Sequence, residues 1–446
     1  MAEVSDILCR FLCDSRWDDI PADVRHNAKR SLLNGLGTAF AGCRDVAIDA
    51  TAKTMLPFSG KAEATVIGRP EKADAMTAAF LNAAAMNVHD FDDTHLRTVI
   101  HPTAPVAPAL LALAETREVS GQNLLHALVL GIEVACRIGN AVSPGHYARG
   151  WHITATCGMF GAAAAVGKIL NLTHRRMINA LGAASAQSSG LVETLGFMAK
   201  SIGVGGAARG GLLAALLAQN GLDGPAAPLE GPRGFLRVTG DDPNYDDVAG
   251  GLGTLWETAK NIHKPYPGGV VLFPVIDAAL EFFASDIPAD RVKSVMLCGH
   301  PLLAQRTDRP NVETGREAQV SAQHAVGVCL VRGTAGLDDF SDAAVKDPAV
   351  RAVREKVKIV DDLSRAVTGV RAVFEMVDGG TKEIVVAHGR GTDERPLSDA
   401  EIEDKFRTLA KWGAPGCQNA EKLIDAVWSL DGSDDAGAVM AFMRPA

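Results

Sequence analysis

The stretch that most constrains this chain runs from Ser120 to Arg137, SGQNLLHALVLGIEVACR. It is apolar almost all the way round at helical spacing, so it can only be a helix buried on every side. Its two charged residues, Glu133 and Arg137, lie four apart with the acid first, the order in which such a pair meets on one helix face. A helix of this kind needs other helices around it, and the flanking sequence supplies them. Ala28, Leu32, Leu36 and Phe40 recur on one face after Pro21. Gly158–Ile169 is a helix of small residues, Thr173 stands where an N-cap belongs, and Val204–Gln219 is a further helix with Gly221 as its stop. With 45 glycines and few aromatic residues, these helices are expected to pack closely.

The pattern changes at Pro265-Tyr-Pro-Gly-Gly, a turn cluster. Beyond it, Val292–Cys298 and Lys356–Val360 read as strands. Val373–Val377 and Glu383–Ala387 flank Asp378-Gly-Gly, a hairpin signature. Leu397-Ser-Asp-Ala-Glu opens a last helix, with Ser398 and Glu401 spaced as a capping box. The expected fold is mainly α. A helical domain spans 1–264, a smaller α+β domain spans 265–395, and the helices of 396–446 return to the first domain, so that the α+β part is an insertion.

The net charge of −9 and the lack of a dense Lys/Arg run make nucleic acid an unexpected partner. No apolar run is expected to span a bilayer, and the acidic start MAEVSDILCRFLCD does not read as a secretory signal. Eight scattered cysteines without a CxxC pair suggest reduced thiols. A cytoplasmic location is the expectation.

Four segments could carry chemistry. His89–His101 packs three acids, three histidines, Thr94 and Arg97 between two apolar helical stretches. It can be a metal site, since Asp92 and His95 have a suitable spacing, although no second cluster completes a ligand shell. It can be a solvated loop, or an organic site where Arg97 and His101 meet a substrate anion. Ser143–Thr156 places Tyr147 beside His146, Arg149 and His152. A tyrosine there can serve as acid or base, or only bond a carbonyl. Ala199–Gly211 sets Lys200 just before a glycine-rich helix start, where positive helix ends lower the pKa of a partly desolvated amine. The same stretch contains GxGxxA at 203–208, but no buried strand precedes it, so a dinucleotide fingerprint is not expected. Asn261–Gly269 puts His263, Lys264 and Tyr266 at the domain boundary, where ligands commonly bind.

Taken in order, HDFDDTH, HPTAPVAPALLALAE, RGWHITAT, KSIGVGGAARGG and HKPYPGG resemble the MmgE/PrpD family over most of the chain. The resemblance implies a large helical domain with an inserted α+β lid, a homodimer, and chemistry on a polycarboxylate without metal or organic cofactor. It implies site residues Asp90, Thr94, His101, His152, Lys200 and Lys264. The family includes 2-methylcitrate dehydratase, cis-aconitate decarboxylase and iminodisuccinate epimerase. Its dehydratase and decarboxylase members carry a histidine three residues after the lysine and another after the K-x-[FY]-P turn; Gly203 and Gly269 stand there in this chain. Elimination needs an acid at the leaving group. Epimerisation beside a carboxylate needs one base on each face and cations to hold the enolate-like intermediate. Tyr147 and Lys200 suit the two bases, with Arg97, His101, Arg149, His152 and Lys264 as anion partners. The first expectation is therefore a two-base epimerase acting on iminodisuccinate, and the alternative is a lyase of the same family.

Overall fold

The computed structural model describes residues 4–445. The chain divides into two compact units. One comprises the chain up to Val88, Asp92–Asn261 and everything from Asp399 onward; the other comprises His89–Phe91 and Ile262–Ser398.

The first unit is helical. Its main helices are α1 (Ala22–Gly42), α2 (Ala75–Asn87), α3 (Thr103–Ala114), α4 (Gly121–Val142), α5 (Ile153–Ile169), α6 (His174–Ser185) and α7 (Ala199–Gln219). Helix α5 lies at the centre, packed against α3, α4, α6 and α7. Small residues make this possible. A Cβ on Gly131 of α4 would lie 2.9 Å from the Gly161 carbonyl of α5, and one on Gly211 of α7 would lie 2.4 Å from the Ala162 Cβ. Any larger side chain at these crossings would push the helix axes apart, which close-packed interiors resist.

Helix α4 is buried as its sequence demands. Ser120 caps it by accepting from the Asn123 amide, and the Arg137 Nε donates to Glu133 at 3.1 Å with both side chains almost fully buried. The pair is solvated by protein: Glu133 accepts from the Thr258 amide at 2.7 Å, and Arg137 donates to the Gly250 carbonyl at 2.8 Å. Helices α4 and α7 are long and apolar enough to cross a bilayer, contrary to the expectation from the sequence that no run would be. In this fold α4 is surrounded by protein along its whole apolar window, whereas α7 is only partly buried. Gly221 ends α7 at φ 97°, where a glycine carries no Cβ penalty, and the Leu222 amide bonds back to the Leu217 carbonyl.

The second unit holds α8 (Phe273–Phe283) and α9 (Ala322–Arg332) with a four-stranded sheet. Its strands are β1 (Val292–Gly299), β2 (Val357–Asp361), β3 (Val370–Met376) and β4 (Thr381–Val386), in the order β2-β1-β3-β4. The β1–β2 pair is parallel; β1–β3 and β3–β4 are antiparallel. Strand β3 alternates buried and half-buried residues, as a sheet with one covered face requires. The β3–β4 turn is closed by the Met376 amide on the Gly380 carbonyl, with Gly379 at φ 86°. From there the chain returns to the first unit through α10 (Asp399–Gly413), which packs on α1.

The three residues His89–Phe91 belong to the second unit, although the sequence reading places them in the helical domain. Backbone bonding explains it. The Gly268 amide donates to the Asp90 carbonyl at 3.1 Å, and the Gln319 side chain donates to the His89 carbonyl at 2.9 Å.

Candidate active site

Within the helical unit, the run from Asp92 to His101 is locked by its own side chains. Asp92, Asp93, Thr94 and His95 are all buried. Asn87 Nδ2 donates to Asp92 at 2.7 Å. Asp93 accepts from the Thr103 hydroxyl at 2.5 Å and from the Asn261 amide. Burial pushes the Asp93 carboxyl up to about 7, the neighbouring Asp92 charge adds to this, and the Thr103 and Asn261 bonds offset part of it.

His101 Nδ1 faces three oxygens: the Asp93 carbonyl at 2.9 Å, the Thr94 hydroxyl at 3.1 Å and Asp92 Oδ1 at 3.3 Å. A carbonyl can only accept, so Nδ1 carries the hydrogen and Nε2 is the nitrogen that exchanges a proton. The His101 amide also donates to Thr154 Oγ1 on α5 at 3.1 Å, fixing the backbone beneath the ring. A carboxylate behind an imidazole in this way favours the imidazolium and holds its orientation. Asp92 and His101 thus form an acid–base pair that the density of the segment suggested without specifying.

His95 is used differently. Its Nδ1 meets the Thr98 hydroxyl and its Nε2 meets Glu257, both at 2.8 Å. Both ring nitrogens are occupied, so the Asp92/His95 spacing that suits a metal does not bring the two together as ligands. Burial alone would raise Glu257, but His95 and Lys260 override it and hold the carboxyl down at about 2. The turn that aims Thr98 back at His95 requires Val99 at φ 57°, an unfavourable conformation for a β-branched residue.

The second stretch is more open. Tyr147 is half-buried in the short helix Gly145–Ala148. Residues 150–152 run beside 190–192: the Val192 amide donates to the Gly150 carbonyl, and the His152 amide to the Gly190 carbonyl. His152 is buried at the N-terminus of α5. His146 is structural, with its ring nitrogens near the Thr239 carbonyl (3.2 Å) and the Thr156 hydroxyl (2.8 Å), and burial lowers it to about 4.

Helix α7 begins at Ala199, not at Val204 as the glycines of 203–206 suggest, so Lys200 sits half-buried inside its first turn rather than before it. The glycines are tolerated because neighbours press on some of them; a Cβ on Gly205 would lie 2.7 Å from the Phe80 carbonyl. The GxGxxA segment is therefore helical throughout and has no strand–turn–helix context. A Cβ on Gly203 would lie 3.2 Å from the Ala155 Cβ and near nothing else. A Cβ on Gly190 would lie 2.7 Å from the Ala155 Cβ and 3.5 Å from the His152 Cβ. Gly203, Gly190, Ala155 and His152 are thus neighbours, and Lys200 precedes Gly203 by three residues on the same helix.

Arg97 and Arg149 depart from the sequence reading. Arg97 makes a two-pronged pair with Asp247 at 2.8 Å on each arm, and Arg149 pairs with Asp241; both arginines are exposed. Each guanidinium expected to meet a substrate anion already has a carboxylate, Asp247 from the short helix Tyr245–Ala249 and Asp241 from the segment before it.

In the second unit, Lys264 is almost completely buried; its Nζ donates to the Asp90 carbonyl at 3.0 Å and pairs with Asp90 Oδ1 at 3.3 Å. Asp90 adopts φ 52°, which an aspartate tolerates better than most residues. The Tyr266 hydroxyl donates to Asp277 at 2.7 Å, and burial together with that carboxylate raises its pKa far beyond the working range. Gly269 has φ −73° and open space around it, so its backbone does not require glycine.

Sequence reasoning passed over Asn87, Thr103, Glu257 and Gln319, whose side chains hold these segments. Asn87 and Thr103 stand beside and inside quoted motifs; Glu257 and Gln319 give no local signal.

Comparison with known proteins adds a second line of evidence. A model described as the MmgE/PrpD N-terminal domain matches residues 6–247, and one described as the MmgE/PrpD C-terminal domain matches 266–430. The chain is 30% identical to a cis-aconitate decarboxylase of Aspergillus terreus, covering 98% of this chain and 95% of that one. It is 29% identical to a cis-aconitate decarboxylase-like protein of Aspergillus oryzae, covering 98% and 96%. It is 28% identical to the Homo sapiens cis-aconitate decarboxylase, covering 94% and 90%.

Proposed function

Because this chain belongs to the MmgE/PrpD family, we propose that it is an enzyme that moves protons at a carbon beside a carboxylate of a polycarboxylate substrate, with no cofactor taking part. The Asp92–His101 pair carries the reading: an imidazole with its Nδ1–H held by oxygens can deliver or accept a proton at Nε2. His152 and Lys200 supply further positive or proton-bearing groups for the anionic intermediate.

The relatives favour decarboxylation of a tricarboxylate of the cis-aconitate class. In that reaction the C–C bond to one carboxylate breaks, CO2 leaves, and the electron pair stays on the allylic carbon framework. A proton from the His101 imidazolium then closes the step. Sequence reasoning took the missing histidines at 203 and 269 as evidence against a lyase. The Asp92–His101 pair weakens that objection, since a proton donor remains.

A second reading is favoured by Gly203. With no imidazole three residues beyond Lys200, the amine and the Tyr147 phenol are the two groups suited to opposite faces of a carbon. One removes the α-proton and the other returns a proton to the opposite face, epimerising iminodisuccinate.

One experiment separates the readings. Incubation in D2O with cis-aconitate is expected to release CO2 and give a product with one deuterium at the new C–H. Deuterium entering the α-carbon of iminodisuccinate, without loss of CO2 from cis-aconitate, would establish epimerisation instead. If both substrates are returned unchanged, proton transfer on these polycarboxylates is excluded. We also propose that the protein is a homodimer with the α+β part as its lid; sedimentation of the purified protein as a monomer would exclude the dimer.

A further inference from the structure

Two adjacent carboxylates, Asp92 and Asp93, are fully buried in the helical unit, and one cationic side chain serves them. His101 Nδ1 lies 3.3 Å from Asp92 Oδ1, whereas no Lys, Arg or His nitrogen pairs with the Asp93 carboxyl among the described residues. The groups facing Asp93 are Asp92 and the His101 ring on its own segment, Thr103 on α3, Asn261 ahead of the second unit and the buried Cys136 thiol on α4. Among them only the imidazole can be positive, and Asp92 already claims it. Asp92 Oδ1 and Asp93 Oδ1 are both buried without a hydrogen bond, but Asp92 Oδ1 has the His101 Nδ1 at 3.3 Å, whereas Asp93 Oδ1 has no cation and Asp93 Oδ2 takes both hydrogen bonds. An ionised carboxylate with one bare oxygen and a like charge beside it is costly in this setting. Protonation of Asp93 removes that cost and leaves Asp92 and His101 as a balanced ion pair.

We propose that Asp93 is a positioning residue that works as a neutral carboxylic acid: its proton keeps a further buried charge away from the Asp92–His101 pair, while its main-chain oxygen fixes the imidazole tautomer. The upward shift of its carboxyl to about 7, caused first by burial and then by Asp92, agrees with this accounting. As the pH rises past that value Asp93 ionises and a second negative charge enters the pocket. Two consequences follow. The imidazolium is held more tightly and gives up its proton less readily, so turnover falls. The fold also loses stability as the pH rises from about 4, where the unfolded chain ionises this carboxyl, and the loss levels off once Asp93 is ionised in the fold as well. The inference rests on the reading that His101 transfers the proton, but its structural half does not require a substrate.

The test compares the full-length wild type with Asp93→Asn. Infrared difference spectra of the wild type, with Asp93→Asn as the reference, should contain a protonated carboxylic C=O band at pH 6 that fades above pH 7. At a pH where the His101 ring is neutral, its nitrogen NMR should give the Nδ1–H tautomer in both proteins. The wild type's melting temperature should fall between about pH 4 and 7 and level off above it, and the variant should lack that fall. Its kcat at pH 6 should stay within about threefold of wild type and should not fall on the alkaline side. An Asp93 already ionised at pH 6, or an imidazole that changes tautomer in the variant, overturns the proposal. So does an Asp93→Asn protein that cannot fold while the wild-type spectrum carries no acid band. If the wild type turns over neither polycarboxylate, the functional reading fails, and the infrared and NMR results still decide the state of Asp93.

Discussion

The helical unit holds its titratable side chains in two contrasting ways. Between Asp92 and His101 nearly every polar atom is tied to another residue of the protein, and Asp92, Asp93 and His95 see almost no solvent. Between Tyr147 and His152, and at Lys200, reactive groups are fewer, two of the three are half-buried, and small residues surround them. The first region has the density that draws attention in a sequence, yet much of that density is spent holding its own backbone. The second is less buried and is lined by small residues. Dense polar residues therefore mark rigidity here, and reactivity is expected where His101, anchored by the rigid part, shares the work with the sparser one.

The comparison breaks if the sparse region proves dispensable. Lys200→Ala and Tyr147→Phe are each expected to lower kcat by about 10²- to 10⁴-fold, the range for a lost acid or base. Neither should change the melting temperature by more than a few degrees, since both side chains are half-buried. Steady-state kinetics and thermal melts check both parts. Full activity in either variant would remove that residue from proton transfer. A collapse of stability would mean that the second region is as structural as the first.

The next effect in size belongs to the dense region and should appear as stability. Glu257→Gln removes the carboxylate that His95 meets at 2.8 Å. Breaking a buried pair from one side costs about 3–5 kcal/mol. The pH dependence gives a second estimate. Glu257 is held at about 2, against about 4.3 for a free glutamate, which corresponds to about 3 kcal/mol. A depressed carboxyl stabilises the fold fully above its unfolded value. That contribution is therefore present above about pH 4.3 and disappears as the pH falls toward 2. Urea melts of wild type and Glu257→Gln between pH 3 and 7 should converge at the acid end. Parallel curves over the whole range would show that Glu257 does not stabilise through its charge.

Much of the architecture could be read in advance because it is written in local patterns. The all-round apolar Ser120–Arg137 stretch, its Glu133–Arg137 pair and the hairpin at Asp378-Gly-Gly each depend on residues a few positions apart. The family motifs likewise pointed to the segments proposed here as the site. Partners were another matter. His95 meets a glutamate 162 positions away, and Asp93 an amide 168 away. Arg97 and Arg149 read as anion-binding cations because Asp247 and Asp241 lie far off in the sequence. The start of α7 was misplaced for a different reason: local propensity sets glycines against a helix, and packing on α2 and α5 overrides it.

The smallest effect sharpens what the small residues of the second region are for. Gly203 and Gly206 both lie in α7, where glycine costs about 0.5–1 kcal/mol relative to alanine. A Cβ at Gly206 would meet nothing within 4 Å, whereas one at Gly203 would lie 3.2 Å from the Ala155 Cβ. Gly206→Ala should therefore stabilise the protein by about 0.5–1 kcal/mol, and Gly203→Ala by less, because Ala155 has to yield. If the room beside Lys200 and His152 serves the substrate, Gly203→Ala should raise KM severalfold while Gly206→Ala leaves it unchanged. Equal kinetics in the two variants would mean that Gly203 only eases the packing of α7 on α5. A change in KM confined to Gly203 would tie the small residues around Ala155 to binding and leave the Asp92–His101 pair as the part of the site that depends on rigidity.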